Sequence, residues 1–175
     1  VRLVGSEMCI RDRLNTILED VRLPIDLDAD LRPEGKAGEL VRSLDAYQTY
    51  YRKWSLGWEA QALLRARGAA GDAQVMSAFL AIADETRYRT CGLSEKEKRE
   101  IRRIKARVED ERLPRGADPK RHLKLGRGSL SDVEWLVQTV QLDHGHSIPS
   151  LRTTSTIEAL QVADEQGIIA NVDRC

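Results

Sequence analysis

The sequence predicts an α+β fold, predominantly α, on two observations. The stretch PIDLDADLR, from Pro24 to Arg32, alternates strictly between apolar and polar residues, the period of a half-buried strand. Beyond Ser43 the apolar residues recur three and four apart, the period of a helix, and Ser or Asp caps stand ahead of each stripe with Gly or Pro behind it.

Taken in order, the first segment is set aside. Val4 to Arg13 (VGSEMCIRDR) reads as a translated sequencing-linker scar, so residues 1–13 are treated as a linker artefact and the native protein is expected to start near Leu14. In the strand, Ile25, Leu27, Ala29 and Leu31 share one face, and Asp26, Asp28, Asp30 and Arg32 the other. Pro33, Gly35 and Gly38 break it, and Leu40 with Val41 could form a return strand. Ser43 is the expected N-cap of a long helix whose stripe is Tyr47, Tyr50, Tyr51, Trp54, Trp58 and Ala62, with Gly57 as a point of division. Asp72 caps a helix through Phe79 and Ile82.

Three capping boxes follow. Ser94 with Glu97 opens a helix whose narrow seam is Ile101, Ile104 and Val108, stopped by Leu113-Pro114, and RGADPKRH is then a loop. Ser131 with Glu134 opens a helix with Val133, Leu136, Val137 and Val140 on its core side, closing at Gly145. Ser155 with Glu158 opens one running through Leu160 to Gly167, and the chain is expected to be cut at the start of a further element.

Composition bounds the function. At 175 residues, with 41% hydrophobic and 32% charged residues and a mean hydropathy of -0.45, the chain is expected to be soluble, with no membrane partner. Lys and Arg (28) balance Asp and Glu (28), so any electrostatic function is local. Cys9, Cys91 and Cys175 have neither metal-ligand nor redox spacing, which points to free thiols in a cytoplasmic location and no zinc.

Asp26, Asp28 and Asp30 stand roughly 7 Å apart at successive Cα atoms, from a rise of about 3.3 Å per residue. Such a rack can hold divalent cations, which phosphoryl and nucleotidyl transfer use to stabilise the attacking and leaving oxygens. A solvated acidic face explains the same residues. A calcium loop does not, because its glycine and glutamate positions hold Leu31 and Ala37.

Four runs carry a resemblance. DADLRPEGKAGELVRSLDAYQTYYRKWSLGWEAQALLRAR, IRRIKARVEDERLPRGADP, HLKLGRGSLSDVEWLVQ and LRTTSTIEAL resemble, in order and from Leu23 to Gly167, the bifunctional glutamine synthetase adenylyltransferase/deadenylyltransferase family. The resemblance implies that residues 14–43 are the C-terminal part of a DNA polymerase β-like nucleotidyltransferase domain, and that 44–175 are a helical bundle domain truncated at its C-terminus. It implies transfer of AMP from ATP to a tyrosine of glutamine synthetase, with a sister domain removing AMP by phosphorolysis. Mg2+ is the implied cofactor and ATP the substrate; glutamine synthetase and a PII-type regulatory protein are the implied partners, with no nucleic acid.

In that family two metal-binding aspartates lie in a G-S-D-x-D motif, and a third carboxylate precedes L-R-P-x-G. Asp28 matches the third, as the catalytic and metal-binding residue. The family more often has arginine where this chain has Asp30. Since the G-S-D-x-D motif does not occur here, the piece alone is expected to be inactive. The RLPRGADP loop and the run HLKLGRG look more like the C-terminal, adenylylating half.

Arg32, Lys36, Lys124 and Arg127 are the candidate nucleotide-binding residues, guanidinium and ammonium groups suiting phosphate oxygens. Gly126 to Ser129 precede a helix whose free N–H groups can take an anion, although capping and an ordinary turn account for the glycines equally well. Asp132 and Glu134 match a D-I/V-E motif and are read as structural or docking residues. Arg65 and Arg67 can reach phosphate or simply be solvated, and the aromatic stripe from Tyr47 to Trp58 is expected in the core. Between Lys96 and Arg127, 13 basic residues face 6 acidic ones. The alternative function is therefore a helical nucleic-acid-binding or protein-interaction module without catalysis.

Overall fold

The computed structural model describes residues 16, 28 and 31–169. Two compact units are present, Val1–Tyr50 and Tyr51–Cys175. The described residues form six α-helices and two 3-10 turns, without a strand among them.

In the first unit most of the expected strand, including Asp26 and Asp30, lies outside the described residues. Asp28 has no regular secondary structure, and Leu31 and Arg32 lie in a turn and a bend. The return strand at Leu40 and Val41 does not form: two apolar residues are too few for a ladder, and both lie in bends just ahead of the first helix. A 3-10 turn, Gly35–Ala37, follows Glu34, whose φ of 63° is left-handed. That conformation is costly for a residue with a side chain and persists where surroundings over-determine it. Here the Glu34 carboxylate pairs with Arg42, and its N–H donates to the Tyr50 hydroxyl at 3.4 Å. Arg42 also lies 5.6 Å from the centre of the Tyr50 ring. Ser43 caps helix α1 (Leu44–Lys53) as expected, its Oγ accepting from Ala46 N–H at 3.2 Å.

The second unit holds α2 (Gly57–Leu63), α3 (Ala73–Arg87), α4 (Glu95–Arg112), α5 (Leu130–His144), the 3-10 turn Pro149–Leu151 and α6 (Thr156–Glu165). The expected division of the long aromatic helix occurs just before Gly57, where the Glu59 carboxylate accepts from Leu56 N–H at 2.8 Å. Asp72 caps α3 through Gln74 and Val75 N–H. The Ser94 and Glu97 box opens α4. At the other end, Gly167 with a φ of 67° ends α6 in a Schellman motif: Gly167 N–H donates to Asp164 O and Ile168 N–H to Ala163 O, both at 2.9 Å.

Two of the three expected capping boxes change. Ser129, not Ser131, is the N-cap of α5; Ser131 lies inside the helix with its Oγ 3.2 Å from Ser129 Oγ, and Glu134 points to another partner. At α6, Ser155 Oγ accepts from Glu158 N–H, but the Glu158 carboxylate takes the Thr153 hydroxyl instead of the cap N–H. At both helices the preceding loop folds back and supplies its own polar groups, and at α5 Glu134 is in addition taken by Arg65.

One core gathers Ala60, Leu64, Tyr88, Leu93, Ile101 and Leu142, with Trp135 against it; a second gathers Val140, Leu151 and Ala163. The aromatic stripe is only partly core. Tyr51 is buried, but Trp54 is 61% exposed beside Lys53. On α5, Val137 and Val140 are buried, whereas Val133 and Leu136 are exposed. Polar ties join the helices. Gln61 donates to Gln138 at 2.7 Å between α2 and α5. Gln141 donates to the carbonyls of Leu151 and Thr153, each at 2.7 Å. Lys98 meets Asp143 at 2.7 Å, and Asp143 also accepts from Leu93 N–H.

Candidate functional site

The expected site residues divide between the two units. In the first, Asp28 is exposed. The Nε of Arg32 donates to Gly38 O at 3.1 Å, which closes the turn around Gly35, and the backbone of Lys36 lies inside that turn. Among the described residues no group of three or more His, Cys, Asp or Glu could hold a metal ion. Mg2+ keeps several waters and is bound through one or two carboxylates together with substrate phosphates. Asp28 has the chemistry to supply one such carboxylate, and Asp26 and Asp30 lie outside the described residues.

In the second unit the loop 119–129 doubles back on the first turn of α5. Leu125 N–H donates to His122 Nδ1 at 3.0 Å and Gly126 N–H to His122 O at 2.8 Å. A side chain at Gly126 would come within 2.6 Å of the carbonyl oxygens of both Pro119 and His122, which is why the backbone can turn this tightly only with glycine there. Leu130 and Ser131 N–H, the first free donors of α5, go to the carbonyls of Leu123 and Lys124. The Ser129 hydroxyl also donates to Lys124 O at 2.7 Å. These amides are engaged by the loop itself, so an anion here would have to be held by side chains.

Asp132 ties this loop to α4. One carboxylate oxygen takes Gly128 N–H at 2.5 Å, and the other pairs with the Lys105 ammonium, which also pairs with Glu109. The Lys105 hydrogen bond, outweighing a smaller desolvation cost, holds the Asp132 carboxyl below its ordinary range. Partial burial pulls Lys105 down, but its bonds to Asp132 and Glu109 leave it above the ordinary lysine value. Glu134 accepts from Arg65 at 3.1 Å, and Arg65 also holds Thr156 Oγ1 at 2.7 Å and Thr154 O. Arg65 is thus a clamp among α2, α5 and the start of α6, and its guanidinium is already engaged. Both motif acids thus have partners within the second unit, Asp132 in Gly128 and Lys105 and Glu134 in Arg65.

A cavity of about 560 Å³ opens between the end of α4, the loop and α5. Lys124 and Glu134 line it, whereas Arg127 is exposed and outside it. Arg112, His122 and Trp135 also line it, and none of them stood out as functional in the sequence. The signal they do carry is their position around one loop: Arg112 ends α4, His122 and Lys124 alternate, and Trp135 lies a turn inside α5.

The family model for glutamate-ammonia ligase adenylyltransferase matches residues 10–82, and that for GlnD PII-uridylyltransferase matches residues 98–174. Curated relatives called bifunctional glutamine synthetase adenylyltransferase/adenylyl-removing enzyme span most of the chain. The one from Leifsonia xyli is 61% identical over 160 residues, 91% of this chain and 16% of the relative. That from Streptomyces coelicolor is 59% identical over 147 residues, 84% and 15%. That from Mycobacterium avium is 53% identical over 162 residues, 91% and 16%. The chain thus spans about a sixth of the length of these relatives.

Proposed function

Because the chain belongs to the family of bifunctional glutamine synthetase adenylyltransferase/adenylyl-removing enzymes, we propose that it serves, within a protein of the relatives' length, in the transfer of AMP from ATP to a tyrosine of glutamine synthetase. The observation that carries this reading is identity of 53–61% extending over most of the chain. In the reaction the tyrosine oxygen attacks the α-phosphorus, the bond to the β-phosphate oxygen breaks, and pyrophosphate leaves. A sister domain removes AMP by phosphorolysis.

Residues 14–43 are assigned to the end of the nucleotidyltransferase domain and 44–175 to its helical companion, of the adenylylating half. Asp28 is the carboxylate that, with others outside the described residues, would hold Mg2+; the ion supplies charge neutralisation at the phosphates. Arg32, Lys36, Lys124 and Arg127 are assigned to nucleotide phosphates. Glutamine synthetase and a PII-type regulator are the partners in this reading, supported by the relatives' names and by the match of residues 98–174 to a PII-uridylyltransferase family. The cytoplasm is its location in this reading; among the described residues Cys91 is a free thiol and no helix is long and apolar enough to cross a membrane.

The test is Asp28→Asn in the full-length protein, with incorporation of labelled AMP into glutamine synthetase as readout. Transfer should fall at least a thousandfold with the fold unchanged by circular dichroism; transfer at the original rate would refute the assignment.

A further inference from the structure

The cavity between α4 and α5 has the chemistry of a ligand site. Its volume, about 560 Å³, lies in the range of about 300–1,000 Å³ usual for small-molecule pockets. Part of its wall is apolar: Val108, Leu125 and Trp135. Trp135 also packs on the main core.

The charges lining it do not cancel. Lys105 is satisfied by Glu109 and Asp132, and Glu134 by Arg65. Arg112 and Lys124 are different: both line the cavity, and neither side chain meets a hydrogen-bond or ion-pair partner among the described residues. His122 adds a directed donor. Its Nδ1 accepts from Leu125 N–H, which leaves the ring proton of the neutral imidazole on Nε2. A guanidinium fork, an ammonium and an imidazole N–H beside an apolar wall match one ligand class, an anion of about two charges on an apolar or ring-bearing body.

We propose that this cavity binds a small organic phosphate, its phosphate held by Arg112, Lys124 and the Nε2–H of His122 and its body lying against Leu125 and Trp135. A phosphate ester carries about −1.5 to −2 charges at neutral pH, and its tetrahedral oxygens accept from several directions at once. The inference shares Lys124 with the nucleotide assignment above and to that extent rests on it. It adds a defined pocket, four further residues (Arg112, His122, Leu125 and Trp135) and a ligand class.

The experiment is a titration of the full-length protein followed by tryptophan fluorescence, with AMP, inorganic phosphate and succinate as probes and Trp135→Phe as the reference. AMP should give a saturable change that disappears in Trp135→Phe. Inorganic phosphate, lacking the body, should bind more weakly, and succinate, a dicarboxylate, more weakly than AMP. Arg112→Gln and Lys124→Gln should each weaken AMP at least tenfold, with circular dichroism showing the fold retained. A signal that survives Trp135→Phe, AMP affinity unchanged in both charge variants, or succinate binding as tightly as AMP would each overturn the proposal. Asp28→Asn separates it from the catalytic reading: that variant should keep the Trp135 signal while losing AMP transfer. Retained transfer with an intact signal would sink the catalytic assignment alone.

Discussion

Replacing Gln141 by Leu tests whether one buried amide holds the loop that leads into α6. Gln141 is 4% exposed, and its amide nitrogen donates to two carbonyls, Leu151 O and Thr153 O. Leucine keeps much of the volume and removes both donors. The two carbonyls do not suffer equally. Leu151 O retains Thr153 N–H at 2.9 Å, so it loses a second bond and not its only one. Thr153 O is left as a part-buried acceptor without that donor. A lost bond is worth about 1 kcal/mol and an unsatisfied buried acceptor about 1–3 kcal/mol, so the substitution should cost about 2–4 kcal/mol. With a urea slope of about 1–3 kcal/mol per molar, the unfolding midpoint of the chain should fall by about 0.7 M or more. Hydrogen exchange should show where the loss occurs, with amides of residues 151–156 exposed first. This loop presents Thr154 O and Thr156 to Arg65, which in turn holds Glu134 at the cavity. An unchanged midpoint with unchanged exchange over 151–156 would refute the reasoning.

Other substitutions probe separate parts of the fold. Leu151→Ala, at a side chain with no exposure, should cost about 2–5 kcal/mol, read by thermal melting; a loss under 1 kcal/mol would mean the second core collapses around it. Gly92→Ala combines a φ of 59° with a Cβ only 2.6 Å from Asp143 Oδ1, so it should destabilise by more than 1 kcal/mol and displace Asp143 from Leu93 N–H; a neutral effect in urea unfolding would count against the local geometry. Asp132, depressed in the folded state, contributes fully above the ordinary carboxylate value of about 3.9, and its contribution is lost as pH falls through the lower folded value. Asp132→Asn should therefore flatten the acid limb of the stability curve, and parallel curves for the two proteins would exclude the Lys105 bond as its source.

Helices were legible where their signals were local. The caps at Ser43, Asp72 and Ser94 depend on residues two or three positions away, and each forms as the sequence implies. Ser131 and Glu134 have the same spacing yet make no box, because other groups claim them: Lys124 O in the preceding loop takes the Ser131 N–H, and Arg65, 69 residues earlier, takes Glu134. The apolar period marked α5 correctly but could not say which flank of the stripe is covered; Val137 is buried, and Leu136 beside it is 49% exposed. Of the candidate site, Lys124 was visible from its motif. Arg112, His122 and Trp135 were not, since what marks them is a shared cavity and not a spacing.

The same limit bears on the nucleic-acid alternative. A linear window from Lys96 to Arg127 shows a basic surplus, but a field is made by charges in space. Asp132 and Asp143 belong to α5, outside that window, and bind Lys105 and Lys98 within it. Glu109 also pairs with Lys105, and Glu111 stands 4.0 Å from Arg107. The surplus read along the chain is thus larger than the surplus its surface presents, and two of the cations without partners among the described residues, Arg112 and Lys124, line one concave pocket instead of a track for a polyanion. Binding of duplex DNA by this chain should accordingly be weak even at 50 mM salt. A titration showing tight association that falls steeply as salt rises, the signature of many phosphate contacts released together, would restore that alternative.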